Sequence, residues 1–504
     1  MAGPDEKPAG STTNGSWGEP LNRALGRASD ASLRPGNRLT LLRNGPEAFE
    51  EWLDEIGRAE KWVHLEFFQF EGDRTGRRFA EAIMQKAREG IHVSVLYDWV
   101  GSLMVPRSFW RELRRAGADV RVVNPPALSS PLRVFERDHR KLLAVDGLYA
   151  STGGVSIADL WLKRSSETRL PYRDTSVGVR GPAVADLEQA FAGVWELSGA
   201  PLPREEIPSA EEIPMAGYQD ARVIVQEPGK MRVLRTLELL TSVVEERMWI
   251  ADAYFLSVGT LTRGLMSAAR DGVDVRILMP TPATNDQPPV GTLSRVGYRQ
   301  LLEAGVRIFE YGGPMMHAKT TVADGRFCRV GSTNLNLAGL VTNWEIDLLA
   351  QNTDFGARME RMFEEDLDDA REVILESRGP GRNPRPRPES PATKLEQSAQ
   401  RRPREAAPRA LATATRLGRT AFEMTSREGL RRHERSVVAA VAGAALAAGL
   451  AGVRFPRALA WPLAALLSLL GATGLLHAAR AAEERPPESW PRSARAQENS
   501  GKAC

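Results

Sequence analysis

The stretches HRKLLAVDG (residues 139–147) and HAKTTVADG (residues 317–325) decide the fold of this 504-residue chain. In each, a lysine follows the histidine by two residues, an aspartate follows it by seven, and a pair of small residues begins seven positions after the aspartate. Alternate residues of a strand share a face, and Asp-Gly is a strong signal for a tight hairpin turn. Each stretch therefore predicts a strand that presents its histidine and lysine to one site and turns back at the aspartate.

The two stretches belong to a longer internal repeat. AREGIHVSVLYD (residues 87–98) recurs as ARDGVDVRILMP (residues 269–280), and LRRAGADVRVV (residues 113–123) recurs as LLEAGVRIFEY (residues 301–311). Helical segments alternate with short β-branched strands, which is typical of an α/β domain. The repeat predicts two fused, pseudo-twofold α/β halves, at residues 37–200 and 215–377, that share one active site.

The segments outside the repeat differ in composition. Residues 1–36 are rich in Gly, Ser, Pro and Asn, and we expect a disordered N-terminal lead without a secretory signal. Residues 378–435 form a basic, Pro/Arg-rich linker of net charge +9, whereas the first 376 residues sum to −9 and residues 481–504 form a polar tail with no net charge. The overall charge of +3 therefore combines an acidic body with a basic linker.

Two uncharged runs, at residues 436–453 and 458–479, follow the linker. Each approaches the roughly 20 residues that span a bilayer, so residues 436–480 predict a C-terminal transmembrane helical hairpin. Two helices buried in a small third domain are the alternative. Arginines are more numerous before the hairpin than in its loop, which by the positive-inside rule places the body on the cytoplasmic side.

The histidines differ in the residues that flank them in the sequence. A single His-x-Lys segment is more often structural than catalytic, but two copies with identical spacing favour a shared active site. His64 and His92 lack such neighbours and are expected to be ordinary strand residues. The two cysteines, Cys328 and Cys504, are too few for a disulfide framework or a four-ligand zinc site.

Both segments resemble the hallmark of the phospholipase D superfamily, which is His-x-Lys, four residues, Asp, six residues, then Gly-Gly or Gly-Ser before an Asn. The resemblance covers about residues 38–375. Within the superfamily, LEFFQFEGDRTGRRF (residues 65–79) and VLYDWVGS (residues 95–102) are most similar to bacterial cardiolipin synthases. Two features depart from that pattern: Ser156 stands where the family usually has Asn, and the predicted membrane hairpin is C-terminal rather than N-terminal.

The resemblance implies a two-step phosphatidyl transfer that uses no metal and no cofactor. One histidine attacks phosphorus and forms a phosphohistidine, while the other serves as acid and base; by family analogy these are His139 and His317. Lys141 and Lys319 would neutralise the phosphoryl oxygens. The other implied site residues are the motif aspartates Asp146 and Asp324, with a structural role at the turn as their alternative, the orienting carboxylates Asp174 and Glu345, and the phosphate-binding Gly153, Gly154, Ser156, Gly331, Ser332 and Asn334.

The expected reaction converts two phosphatidylglycerol molecules into cardiolipin and glycerol at a bacterial cell membrane. The expected partners are phospholipid substrates and the membrane, with no nucleic acid and no obligate protein partner. A phospholipase D that uses water, or a transferase that uses another alcohol, is the alternative. A membrane-tethered nuclease is more remote, because an acidic body suits a polyanion poorly. Residues 103–109, 125–135 and 280–289 are expected to form walls of the cleft.

Overall fold

The computed structural model describes residues 18–125, 136–162 and 170–375. The predicted linker, membrane hairpin and tail lie outside the described residues. Within the described ranges, no helix combines the length and the apolar character needed to cross a membrane.

The first half follows the alternation that the repeat predicts. Its strands and helices are β1 (Arg34–Arg43), α2 (Asn44–Arg58), β2 (Trp62–Phe67), α3 (Arg74–Arg88), β3 (His92–Asp98), α4 (Arg107–Arg115), β4 (Asp119–Val123), β5 (Lys141–Val145), β6 (Tyr149–Gly153), β7 (Thr175–Arg180) and α5 (Ala183–Leu197).

The second half repeats this order and adds one short helix and one edge strand. It contains β8 (Gln219–Gln226), α6 (Arg232–Val243), β9 (Arg247–Asp252), α7 (Gly259–Arg270), β10 (Asp274–Pro280), α8 (Pro288–Val296), α9 (Tyr298–Glu303), β11 (Arg307–Tyr311), β12 (Lys319–Ala323), β13 (Phe327–Gly331), β14 (Glu345–Gln351), α10 (Thr353–Asp368) and β15 (Ala370–Glu372).

One continuous sheet joins the two halves. Its order is β15-β11-β10-β9-β12-β13-β14-β8-β1-β7-β6-β5-β2-β3-β4, so each half reads outward from the centre in the same sequence. β1 and β8 pair antiparallel at the middle, with an irregularity between Arg34 and Asn37. The expected α/β architecture of two pseudo-symmetric halves is therefore present within the described residues.

The helices bury apolar faces against this sheet. In the first half, Phe49 and Trp52 of α2 pack edge-on against Phe79 of α3 and Phe67 of β2. These rings are almost completely buried, and a buried side chain of this size contributes about 1.5–3 kcal/mol relative to its exposed state. This core packs against the sheet, which includes the strands of both His-x-Lys hairpins.

The hairpins form as the sequence predicts. β5 pairs antiparallel with β6, and β12 pairs with β13. Asp146 and Gly147 have positive φ values of 55° and 67°, and Asp324 and Gly325 have 50° and 63°. Two consecutive positive φ values are required by the tight turn that Asn-Gly and Asp-Gly favour.

The N-terminal lead is more ordered than expected. Residues 18–29 form helix α1 (Gly18–Ser29), which packs on α6, and β1 already begins at Arg34. Leu21, Leu25 and Ala28 are buried in the core of the second half. Their spacing of four and three residues places them on one helix face. The expectation of disorder was wrong for residues 18–36. Three apolar residues at helical spacing are enough to give a helix one buried face, even without a continuous apolar run.

Candidate active site

Both His-x-Lys segments open onto one cavity. His139 precedes β5 and His317 precedes β12, and both histidines line a cavity of about 540 Å³. Lys141 also lines it, as do Ser156 and Asn334 from the segments that follow the two hairpins. The structure thus brings together residues that lie up to 195 positions apart in the sequence.

Each histidine is held by a carboxylate from the opposite half. His139 Nδ1 lies 2.9 Å and 3.0 Å from the two carboxylate oxygens of Glu345. His317 Nδ1 lies 2.7 Å from Asp174 Oδ2. Both carboxylates are fully buried. A carboxylate at Nδ1 fixes the tautomer and leaves Nε2 for chemistry, as in other histidine-based sites.

Two short backbone bridges create this crossed arrangement. The His139 amide donates to the carbonyl of Trp344, the residue before Glu345, over 2.9 Å. The His317 amide donates to the carbonyl of Arg173, the residue before Asp174, over 2.7 Å. Neither half can therefore assemble a complete histidine–carboxylate pair by itself.

Further hydrogen bonds fix the two carboxylates. Ser332 Oγ donates to Glu345 over 2.6 Å, and Asn343 Nδ2 donates over 3.1 Å. Trp161 Nε1 donates to Asp174 Oδ2 over 2.8 Å. Ser332 is fully buried and its hydroxyl contacts Glu345; the phosphate contact expected from the sequence stays a prediction.

The motif glycines leave space for buried groups of neighbouring strands. A Cβ at Gly154 would lie 2.0 Å from Asp174 Oδ1, and a Cβ at Gly331 would lie 1.7 Å from Asp347 Oδ1. Gly153, with φ of 157°, packs against the backbone of Ser176. These glycines admit neighbouring side chains and strands, and the expected phosphate contacts at them stay a prediction.

The environment of the first histidine favours its neutral form. Burial lowers the pKa of His139 to about 4; Glu345 opposes this effect and Lys141 adds to it. Burial also lowers the pKa of Lys141 to about 7. For Glu345, burial would raise the pKa, but the contacts with His139 and Ser332 and the charge of Lys141 outweigh burial and lower it. His139 is thus a neutral imidazole beside an ionised carboxylate at neutral pH.

The same effects act on the second pair, His317 and Asp174. Burial lowers the pKa of His317, and the charge of Lys319 lowers it further. The pKa of Asp174 is also lowered, because His317 and Lys319 outweigh the effect of burial. A bound anionic phosphodiester would favour the protonated imidazole, since an opposite charge within a few ångströms raises the pKa of a base.

The two lysines make different contacts. Lys141 Nζ donates to the main-chain carbonyl of His139 over 2.6 Å. Lys319 Nζ contacts the carbonyl of His317 and lies 2.8 Å and 3.1 Å from the two nitrogens of its ring. Within the described residues, the hydrogen bonds of the His139 ring are made by Nδ1 alone. His139 Nε2 therefore has no such contact in the described chain, whereas His317 Nε2 lies beside the Lys319 ammonium.

The motif aspartates lie at the turns, away from the cavity. Asp146 accepts hydrogen bonds of 2.8 Å from the amides of residues 60–62, and Asp324 accepts bonds of 2.8–3.0 Å from the amides of residues 245–247. Each carboxylate thereby ties its hairpin to the start of the neighbouring strand. The expectation that groups them with the catalytic residues is not supported by this geometry, and their structural alternative is.

Sequence reasoning missed several residues of the cavity wall. Arg137, Tyr172 and Tyr254 line it, and the two tyrosines donate hydrogen bonds to Asp286, Tyr254 over 2.7 Å and Tyr172 over 3.3 Å. Asp286 falls in the expected wall at residues 280–289. Alternation would have located Arg137, which precedes His139 by two residues in an extended segment.

The other two expected walls of the cleft are residues 103–109 and 125–135. Residues 126–135 lie outside the described residues. The segment 103–109 does not line the cavity within the described chain; Phe109 is buried in the core, and Leu103 and Met104 are exposed. Neighbouring Val100 and Gly101 line the cavity in its place.

His64 is not the ordinary strand residue that was expected. Its Nδ1 lies 2.6 Å from Glu188 and its Nε2 lies 3.1 Å from Glu206, with the ring stacked on Phe191. Burial opposes protonation, but the two glutamates outweigh it and raise the pKa of His64 to about 9. His92 also contacts Glu206, over 2.6 Å. Two glutamates distant in sequence build this cluster, so strand periodicity gave no signal for it.

Among the described residues, no group of three or more His, Cys, Asp or Glu side chains is positioned to hold a metal ion.

Comparison with known proteins identifies the relatives of this chain. Residues 238–367 match the family model described as "Cardiolipin synthase, PLD-like domain". The chain is 31% identical over 365 residues to a cardiolipin synthase of Geobacillus sp. (strain WCH70), covering 71% of this chain and 72% of that protein. It is 32% identical over 361 residues to cardiolipin synthase A of Pseudomonas fluorescens, covering 70% and 73%.

The fold has a relative among solved structures. The phosphatidylserine synthase of Haemophilus influenzae superposes with a TM-score of 0.56 at 16% identity, covering 70% of this chain and 92% of that one. At this identity the likeness concerns the fold, which is the α/β fold of phospholipase D-like enzymes. The chain belongs to the cardiolipin synthase family of the phospholipase D superfamily and is a phosphatidyltransferase of the phospholipase D type.

Proposed function

We propose that this enzyme joins two phosphatidylglycerol molecules into cardiolipin and releases glycerol, through a phosphohistidine on His139. The observation that carries the proposal is the pair of crossed histidine–carboxylate contacts facing one cavity. Two histidines with separate carboxylates fit a double displacement, in which one bonds to phosphorus and the other moves protons.

In the first step, the lone pair on His139 Nε2 attacks the phosphorus of the donor lipid. The bond between phosphorus and the glycerol headgroup oxygen breaks, and His317 Nε2 delivers its proton to that oxygen. Glycerol leaves, and the phosphatidyl group remains on His139. The lowered pKa of His139 supports this role, because a neutral imidazole is the nucleophilic form.

In the second step, the terminal hydroxyl of another phosphatidylglycerol attacks the phosphohistidine. His317 takes the hydroxyl proton, the bond between phosphorus and nitrogen breaks, and His139 is regenerated. One ester bond is broken and one of the same kind is formed, so the exchange is balanced without a redox partner or a nucleotide.

Cationic and polar groups stabilise the charge on the reacting phosphoryl group. Lys141 lines the cavity and Lys319 lies against the His317 ring. Asn334 also lines the cavity, where its Nδ2 amide would donate a hydrogen bond to a phosphoryl oxygen. Preorganised cations and dipoles of this kind are worth several kcal/mol when they face developing charge.

The proposal includes attachment to a bilayer. The two uncharged runs at residues 436–453 and 458–479 would anchor the chain, with the catalytic body on the cytoplasmic side. The linker of net charge +9 would lie beside anionic lipid, where each basic residue contributes about 1 kcal/mol. A fragment ending at Ser377 should then remain folded and stay in solution after removal of detergent; aggregation of that fragment would make the two runs part of the folded core.

The test of function uses the purified full-length chain in detergent-free vesicles of phosphatidylglycerol and phosphatidylcholine, with and without a chelator. We expect release of free glycerol and formation of cardiolipin in equal amounts, identified by mass. Phosphatidic acid in place of cardiolipin would indicate water as the acceptor, which contradicts the proposed transfer. The absence of any lipid product, combined with cleavage of DNA, would replace the lipid substrate with a nucleic acid.

A further inference from the structure

The cavity contains a cation that the two-step chemistry does not use. Arg137 lines the same cavity as His139 and Lys141, and its side chain is 15% exposed. Arg137, His139 and Lys141 alternate along one extended segment, which puts them on a common face at intervals of roughly 7 Å. The segment is held in place by the amide of Trp344, which donates to the Arg137 carbonyl over 2.8 Å.

The guanidinium is poorly satisfied by its neighbours. Nη1 is shielded from solvent and has no hydrogen-bond partner among the described residues. Nη1 forms an ion pair with Asp98 Oδ1 at 3.7 Å, a separation that is beyond hydrogen-bond distance. That oxygen already accepts from the amides of Val100 and Gly101. A shielded N–H donor without a hydrogen-bond acceptor is unfavourable unless a ligand supplies the acceptor.

The second half has no counterpart of this cation. The equivalent residue, two positions before His317, is Met315, which is buried and packs into the core. Its carbonyl accepts from Arg173 as the Arg137 carbonyl accepts from Trp344, so the backbones correspond and only the side chains differ. The cavity therefore has a positive charge beside His139 that is missing beside His317.

A substrate with two phosphates would use such a charge. In the proposed reaction, which this inference presupposes, the acceptor alcohol carries its own phosphodiester, separated from the attacking hydroxyl by a three-carbon glycerol unit. That second phosphate has a full negative charge and must lie close to the reacting phosphorus. Arginine binds phosphate oxygens through paired N–H donors and keeps its charge at every accessible pH.

We propose that Arg137 binds the unreacting phosphodiester of the acceptor lipid and so selects an anionic phospholipid as acceptor over water or free glycerol. Lys141 and Lys319 face the phosphorus that changes partners. Arg137 is a specificity-determining residue for the second step and takes no part in forming the phosphohistidine.

The experiment compares two acceptors that compete for the same phosphatidyl-enzyme. The full-length chain is placed in vesicles of phosphatidylglycerol and phosphatidylcholine with isotopically labelled glycerol in solution. Cardiolipin reports transfer to an acceptor with a phosphate, and labelled phosphatidylglycerol reports transfer to an acceptor without one. Because both products arise from one intermediate, effects on donor binding and on His139 cancel in their ratio.

We expect Arg137→Met, which copies the residue of the second half, to lower the ratio of cardiolipin to labelled phosphatidylglycerol by about tenfold or more. Arg137→Lys should lie between this variant and the wild type, because it keeps the charge but loses the paired donors. If Arg137→Met does not fold, the ratio of the two products is measured on Arg137→Gln instead. Arg111→Met, at an exposed arginine of α4, is the matched control and should keep the wild-type ratio.

The outcomes separate this inference from the proposed function. If the wild type makes no cardiolipin, the proposed function fails and the inference fails with it. If the wild type makes cardiolipin and the Arg137 variants keep its ratio, with or without a parallel loss of both products, the function stands and the acceptor role of Arg137 is overturned.

Discussion

The two halves share a backbone plan but differ in the side chains they place around the cavity. Both provide a His-x-Lys hairpin, a turn aspartate and a buried carboxylate for the opposite histidine. Yet Gly154 corresponds to Ser332, Arg137 corresponds to Met315, and the two lysines contact different atoms. The repeated features build the chemistry, and the features that differ assign a separate role to each half.

The largest effect is expected from the histidines and should distinguish the halves. His139→Ala should abolish transfer, a loss of at least about 10⁴-fold, with every donor, because it removes the nucleophile. His317→Ala should lose about 10²- to 10⁴-fold with phosphatidylglycerol but recover with a p-nitrophenyl phosphodiester donor, whose leaving group needs no acid. The measurement is the initial rate of leaving-group release. Recovery of His139→Ala with the activated donor would reverse the assignment; His92→Ala is the control.

Variants of the two carboxylates test whether each one serves the histidine of the opposite half. Glu345→Gln and Asp174→Asn should each lower kcat/KM by roughly 10²- to 10⁴-fold, since the histidine loses the partner that fixes its tautomer. Because Glu345 serves His139 and Asp174 serves His317, only Asp174→Asn should recover with the activated donor. Rates of both variants with both donors decide this; recovery of Glu345→Gln instead would mean that each carboxylate serves the histidine of its own half.

The cluster around His64 should make the stability of the fold depend on pH. His64 stacks on Phe191, whereas Trp249, the equivalent residue of the second half, stacks on Phe363. The pKa of His64 is raised to about 9 in the folded chain, above its unfolded value of 6.5. Its contribution, up to about 3 kcal/mol, is present below pH 6.5 and is lost as the pH rises through about 9.

Thermal denaturation from pH 6 to pH 10 measures this contribution. The Tm of the wild type should fall over that range, and His64→Gln should remove most of the dependence. His92→Gln, which changes a more exposed partner of Glu206, should retain it. An unchanged slope in His64→Gln would assign the pH dependence to other groups.

The smallest effect concerns pH and activity. The pKa of Lys141 is lowered to about 7, so Lys141 loses its proton as the pH rises through neutrality; the pKa of His317 is lowered below its ordinary value, so His317 loses its proton at a lower pH than a free imidazole. Each is needed protonated in the first step, so kcat/KM should be about tenfold lower at pH 8 than at pH 6. Steady-state rates over this range, with the fold monitored by circular dichroism, test the prediction. A flat profile or a rise above pH 7 would contradict these directions.

Much of this site could be predicted because its signals are local. The His-x-Lys spacing, the Asp-Gly turns and the repeated helix–strand units predicted the hairpins, the two halves and the shared cavity. The crossing of Glu345 and Asp174 depends on backbone bridges to residues more than 140 positions away, for which one sequence has no signal. The same holds for Glu188 and Glu206 around His64, and for Ser332, whose hydroxyl turns to Glu345.

The central claim is that one histidine becomes covalently phosphatidylated and that this histidine is His139. The most direct measurement is rapid quenching of the enzyme with labelled phosphatidylglycerol, followed by proteolysis under alkaline conditions that preserve phosphohistidine and by mass mapping of the peptides. We expect a phosphatidyl adduct on His139, and none on His317. An adduct on His317, or glycerol release and cardiolipin formation with no adduct on either histidine, would contradict it.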